Sequence, residues 1–353
     1  MVNILNMIEF DPAGKGVLCF GELLLRMSPD AGGTWLNTHQ LPCFLGGAEL
    51  NVATALSLWE IPVTYFTALP DNILAEQLKN SIAGKGIGTD KILAQGERVG
   101  IYYLPQGTDV KNAGVIYDRA NSSFATLQPG TIDWSAVFKG VSWFHFSAIC
   151  PAVSASAAEV CLEALKYASA NGIFISLDLN YRAKLWQYGK QPADIMPGLA
   201  AYCDLIMGNI WAAERMLDIP IPLDFQDKTK AEYLSQAELS SREIRRQFPK
   251  CKVIANTFRF DAGEKGVKYF TSLHTANGSY HSATYQTEEI VDKVGSGDCF
   301  MAGLIYSINQ QKPAQESLDF ATAAAFNKLF IASDATSTRA ADIYDSILPH
   351  EKK

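Results

Sequence analysis

The sequence predicts an α/β protein, with a mostly parallel central sheet covered by helices on both faces and a small separate β-sheet beside it. Three observations carry this. Short, continuously apolar runs alternate with longer stretches of helical spacing, the pattern of parallel strands buried on both sides. Two aromatic, β-rich runs near residue 100 break that rhythm. Hydrophobic residues make up 48% of the 353 and charged residues 19%, which supports a large core and excludes global disorder.

The elements follow in order. Residues 16–20 (GVLCF) form the first strand, ending at Gly21-Glu22, and 62–69 the second. Residues 142–147 (SWFHFS) and 173–179 (IFISLDL) are β-rich runs, each followed by a helical segment, and 204–207 and 252–256 complete the series. Residues 99–105 and 113–118, joined through a Gly-Thr-Asp turn region, read as an antiparallel pair in the small sheet or lid, with 34–40 as a further strand. Residues 220–250 are the most hydrophilic long stretch and read as a surface insertion with a helix around 237–248. One domain spanning 1–353 accommodates all of this.

The 30 Lys and Arg against 37 Asp and Glu give a net charge of −7. That argues against nucleic acid or an anionic membrane as partner, since both need a basic face. It leaves room for a local basic pocket. No apolar run reaches membrane-spanning length and the first residues do not resemble a signal peptide, so the expected location is cytoplasmic. Seven cysteines are scattered without C-x-x-C and five histidines are dispersed. Most of the cysteines are expected as buried apolar side chains, and no zinc site is expected.

Two segments carry chemistry. Asp292-Lys-Val-Gly295-Ser296-Gly297-Asp298 follows a strand-like run at 287–291 and opens a helix. Gly295 and Gly297 permit a sharp turn with a clear approach path. Backbone N–H groups at such a helix start face anions, and Asp298 in the first turn is placed to accept a proton from a hydroxyl. Gly46-Gly47-x-x-x-Asn51 opens another helix, and the Asn51 amide suits a polyhydroxylated ligand. Taken singly, each segment reads first as an ordinary glycine-rich helix start.

Together the two segments resemble the paired signatures of the PfkB, or ribokinase-like, carbohydrate kinases, and the resemblance runs from about residue 16 to about 340. It implies the ribokinase-like three-layer α/β/α fold with a lid. It also implies that Asp298 is the general base and that Gly295, Ser296 and Gly297 form an anion hole. ATP and Mg²⁺ are the implied cofactors. The implied nucleotide neighbours are Asn209, Thr257, Arg259, Gly266 and Asn327. Asp292 reads either as part of a K⁺ site or as a strand-end Asp bonded to nearby backbone. Arg259 reads as a phosphate neighbour or a surface arginine. Relatives carry N-x-x-E after the strand corresponding to 204–207; here Ala212 takes the Glu position. Either Glu214 organises Mg²⁺ through water from a shifted place, or the metal's surroundings differ. Lid strands in this family often pair across a dimer, so a homo-oligomer through the lid is implied.

The substrate is read from departures within the family. The ribokinase branch shows Gly-Asp-x-Asn-x-Asp where this chain has Gly21-Glu22-Leu-Leu-Leu-Arg26. Tyr102, Tyr117, Arg119 and the Asp178-Leu-Asn180-Tyr-Arg182 loop resemble 2-keto-3-deoxygluconate kinases. Two arginines and two tyrosines suit a carboxylate and a neighbouring keto group; the other reading packs the tyrosines in the lid and pairs the arginines with acids. Gly46, Gly47 and Asn51 complete the expected acceptor site. The alternatives are a fructokinase or ribokinase acting on a neutral sugar, and a non-catalytic sugar-binding regulator.

Overall fold

Strand β1 (Gly16–Phe20) shows how the layers arise. Val17 and Cys19 face one apolar cluster, and Leu18 and Phe20 face another, because successive side chains leave a strand on opposite sides. The computed structural model describes residues 16–29, 35, 39–105, 114–263 and 265–349. Along the chain follow β2 (Leu24–Met27), β3 (Cys43–Gly46), β4 (Val63–Phe66), β5 (Ala68–Leu69), β6 (Leu93–Ala94), β7 (Gly100–Tyr103) and β8 (Ile116–Asp118). Then come β9 (Val141–Ser147), β10 (Phe174–Asp178), β11 (Leu205–Met207), β12 (Val253–Ala262), β13 (Gly266–Thr275), β14 (Gly278–His281) and β15 (Tyr285–Thr287).

The large sheet has the order β14-β13-β12-β11-β10-β9-β1-β4, with β15 also on β13. From β4 through β12 every neighbour is parallel, and β13, β14 and β15 add an antiparallel edge. One face is covered by helices Ala48–Leu58, Ser296–Asn309 and Ala314–Lys328. The other is covered by Ala155–Ala170, Pro192–Ala200 and Ile210–Leu217. Helices Ser296–Asn309 and Ala314–Lys328 pack backbone to backbone, since a Cβ on Gly303 would stand 2.6 Å from the Ala321 Cα.

The small sheet has the order β3-β2-β7-β8. It contains the antiparallel β7–β8 pair expected at 99–105 and 113–118, with residues 106–113 outside the described residues. The strand expected at 34–40 lies largely outside the described residues, and its described members Trp35, His39 and Gln40 are not in a strand. Its place is taken by β2 and β3, so Gly46 ends a strand before Gly47 starts the helix. The 62–69 run is divided: β4 joins the large sheet and β5 leaves it to pair with β6. The run at 287–291 is a strand only at Thr287, where β15 ends. The helix around 237–248 begins earlier, at Lys230, where Thr229 and Glu232 form a reciprocal capping box. Six of the seven cysteines are buried and all are free, with Cys43 exposed.

Candidate active site

Parallel strands of an α/β sheet place ligands beyond their carboxyl ends, and the cavity of about 740 Å³ lies there. β10 delivers Asp178 and then Asn180 and Arg182, and β11 delivers Gly208 and Asn209. β1 runs on through Glu22 into the small sheet, whose Leu24, Tyr102 and Tyr117 form the opposite wall.

Helix Ser296–Asn309 aims its N-terminus into this space. Gly295 caps it at φ 78°, and a Cβ there would stand 1.7 Å from the Asp334 carbonyl oxygen, so only glycine fits this turn. The first-turn N–H groups of Ser296, Gly297 and Asp298 have no acceptor within the helix, and all three residues line the cavity. The Ser296 hydroxyl donates to the Ala325 carbonyl at 3.0 Å, which leaves the main chain to meet an anion. Gly297 has open space at its Cβ, with Met207 Cε 3.9 Å away as the nearest neighbour.

Asp298 is held from the other signature. Asn51 Nδ2 donates to Asp298 Oδ2 at 2.7 Å. Burial pushes the Asp298 carboxyl up to about 8; the Asn51 hydrogen bond and Arg182 pull it down, and Asp178 and Glu49 push it further up. A carboxyl poised near neutral pH is suited to general-base work. Glu49 is itself buried and raised by burial, and accepts from the Ser147 N–H at 2.9 Å.

On the acceptor side, Arg119 Nε donates to Glu22 Oε2 at 2.7 Å and its Nη2 contacts the same oxygen. The other Glu22 oxygen is buried without a hydrogen bond among the described residues. Arg182 is half-buried and donates to the Tyr181 carbonyl at 3.0 Å. Among the described residues no carboxylate pairs with it. Tyr117 lines the cavity by its ring, while the Tyr102 hydroxyl is turned away to Asp334 Oδ2 at 2.8 Å.

At the far end lie Thr257 and Arg259 of β12, Asn209 and Glu214. Arg259 Nη1 donates to the Lys293 carbonyl at 3.3 Å, on the approach to the glycine turn. Asn209 caps helix Ile210–Leu217 by accepting from the Ala212 N–H at 2.8 Å. Glu214 is on the cavity wall, one turn into that helix.

Four expected residues stand outside the cavity lining. Gly266 starts β13, where a Cβ would strike the carbonyl oxygens of Ala262 and Thr287 at 2.4 Å, so close strand packing accounts for it. Asn327 donates to the Ser346 hydroxyl at 2.7 Å. Gly46 backs onto Asp334, whose Oδ2 would be 2.9 Å from a Cβ. Asp292 is fully buried against Arg26, with Nη2 to Oδ2 at 3.0 Å, and accepts from the Val294 N–H at 3.0 Å. The sequence reading did not place Arg26, Asp334 or Lys328 near this loop. It also left Glu22, Glu49 and Asp178 out of the site, although all three stand in segments it singled out.

A base beside an anion-binding helix start, across a cleft closed by a small sheet, is the equipment of a phosphotransferase with an alcohol acceptor. Residues 15–330 match the pfkB family carbohydrate kinases, and the chain belongs to that family. Among its relatives is the 2-dehydro-3-deoxygalactonokinase of Haloferax volcanii, 27% identical over 90% of this chain and 92% of that one. The 2-dehydro-3-deoxygluconokinase of Thermotoga maritima superposes with a TM-score of 0.84 at 30% identity, over 94% of this chain and 98% of that one. A ribokinase II from E. coli, solved in complex with ATP and Mg²⁺, shares the fold with a TM-score of 0.71 at 18% identity, over 94% and 99%. No helix among the described residues is long and apolar enough to cross a membrane.

Proposed function

We propose that this kinase transfers the γ-phosphoryl group of ATP to the terminal hydroxyl of 2-keto-3-deoxygluconate or its galactonate epimer, giving the 6-phospho acid and ADP. The observation that carries the substrate is Arg182. It lies on the acceptor wall close enough to lower the Asp298 pKa, and among the described residues no carboxylate stands within ion-pair contact of it. A guanidinium held in this way suits a substrate carboxylate. Relatives with 30% and 27% identity are named for such acids, which supports the same reading.

In this reaction Asp298 takes the proton of the attacking hydroxyl, and Asn51 holds the carboxylate in place. The N–H groups of Ser296, Gly297 and Asp298 meet the charge on the transferred group. Arg259 and Thr257 flank the phosphate path, and Tyr117 and Arg119 complete the acceptor wall. Magnesium fits this site as an ion carried on the nucleotide phosphates, because Glu214 and Asn209 are on the cavity wall and the described residues contain no cluster of three ligating side chains. When bound it neutralises phosphate charge; Glu214 would hold its waters.

One observation favours a second reading. The Glu22–Arg119 ion pair cancels one of the two expected positive charges, and the remaining Glu22 oxygen is free to accept from a sugar hydroxyl. That suits a neutral ketose. We further propose that two copies associate through the outer face of the small sheet. Ile116, 55% exposed, lies opposite Tyr103 there.

The deciding experiment measures ADP formation over the two keto-deoxy acid epimers, fructose and ribose, with Mg²⁺ and with excess EDTA. A keto-deoxy acid should give the highest kcat/KM, by about 10-fold or more, and EDTA should abolish turnover. A higher kcat/KM on fructose replaces the acid reading with the neutral-sugar one.

A further inference from the structure

The family resemblance points to K⁺ beside Asp292, and the residues around that carboxylate do not fit an added cation. Arg26 is 0% exposed. Its Nη2 lies 3.0 Å from Asp292 Oδ2 and 2.7 Å from Asp334 Oδ1. The Phe44 ring covers the guanidinium, with its centroid 4.3 Å from Cζ. The other two carboxylate oxygens each accept a hydrogen bond as well. Asp292 Oδ1 accepts from the Val294 N–H at 3.0 Å, and Asp334 Oδ2 accepts from the Tyr102 hydroxyl at 2.8 Å. A second buried cation stands close by. Lys328 is 0% exposed and its Nζ donates to the Ile331 carbonyl at 3.0 Å.

Two buried positive charges therefore face two buried carboxylates. A third cation would have no counter-charge, and an uncompensated ion in such a place is strongly disfavoured. The position of the network also matters. Asp292 anchors the turn that leads into Gly295, and the Asp334 carbonyl packs directly against Gly295. Arg26 and Tyr102 belong to β2 and β7 of the small sheet. The four side chains tie the wall that covers the cavity to the loop that binds the anion.

We propose that Arg26 is a built-in counter-cation and positioning residue of the glycine turn, so that this kinase works without an alkali cation. The inference rests on membership of the kinase family and not on which sugar acid is the acceptor. Burial opposes the charge on Arg26, but the Asp334 and Asp292 carboxylates outweigh it and raise its pKa above the ordinary arginine value. The cation is therefore permanent.

The test compares choline chloride with KCl and NaCl at equal ionic strength. ADP is measured by chromatography, so that no coupling enzyme brings its own cation requirement. For the unaltered enzyme kcat should differ by less than about 2-fold, and Tm should stay put because no cation binds the folded state. The Tm comparison needs no acceptor, so it stands even if the substrate panel fails. Arg26→Met should lower kcat by about 10-fold or more while the KM for ATP changes less than about 3-fold, and Arg26→Lys should recover much of the loss. If Arg26→Met does not fold, Tyr102→Phe carries the same kcat-against-KM comparison. Saturable activation of the unaltered enzyme by K⁺ of about 5-fold or more, a K⁺-specific rise in its Tm, or an Arg26→Met enzyme with unchanged kcat would each overturn the proposal.

Discussion

Asn51 Nδ2 lies 2.7 Å from Asp298 Oδ2, although 247 positions separate them in the chain. The bond joins the starts of two helices that pack on the same face of the large sheet. It places an obligate donor on an oxygen whose charge burial opposes.

Removing the base separates chemistry from folding. Asp298→Asn should lose kcat by at least about 10²-fold. It should not lose stability. The carboxyl titrates near 8 in the folded state, so between roughly pH 4 and that value the folded protein holds a proton the unfolded chain has released, and stability falls as pH rises. The Asn variant lacks this cost, so its Tm advantage should grow from pH 5 to pH 8. Measuring kcat and Tm across that range checks both parts, and near-normal turnover would remove Asp298 from its role.

The same group sets a pH profile. The acceptor kcat/KM should rise with pH to a limb near 8, as the Asp298 carboxyl gives up its proton. Asn51→Ala removes a donor that favours the charged form, so the limb should move upward by about one unit. A limb that stays in place shows that another group titrates.

Arg182→Ala should cost about 10- to 150-fold in kcat/KM on the keto-deoxy acid and leave any weak activity on fructose almost unchanged. Arg119→Ala should reduce both activities, because it also strands the buried Glu22 carboxylate. Steady-state kinetics of each variant on both substrates makes the comparison. Equal losses on both substrates with Arg182→Ala would exclude a dedicated carboxylate contact.

Two glycines three positions or fewer from the base should fail differently. Gly295→Ala meets both a left-handed φ and the Asp334 carbonyl, and should destabilise by at least about 2 kcal/mol. Gly297→Ala has room for its methyl and should leave Tm the same or higher, yet lower kcat by about 10-fold by crowding the anion's approach. Paired melting curves and kinetics distinguish structural from functional glycine.

Much of this site is legible in the sequence because its chemistry is local. Gly295-Ser296-Gly297-Asp298 and Gly47–Asn51 each announce a helix start, and both helices sit where those residues fall. The Asp178–Arg182 loop follows its strand directly. Arg26 could not be placed in the same way. Its partners Asp292 and Asp334 lie far along the chain, and a leucine-rich run ending in arginine gives no sign that the arginine turns inward. The small-sheet strands β2 and β3 are short, and β3 is continuous with a glycine-rich helix start that masks it. Tyr102 shows the limit of reading residue type alone. Its hydroxyl could serve substrate or protein, and here it bonds to Asp334.

The contact of Gly303 on Ala321 fixes where the base stands. With no side chain on Gly303 to hold the helices apart, the one that begins at Ser296 cannot tilt without dislodging its neighbour from the core. Asp298 is thereby a fixed post. The opposite wall is moored to the same post, since Arg26 and Tyr102 of the small sheet bind Asp292 and Asp334 beside Gly295, and Leu24, Tyr102 and Val115 pack with Val294. The floor and the wall of the cavity thus share one anchorage, and a ligand between them meets two surfaces set by the same turn.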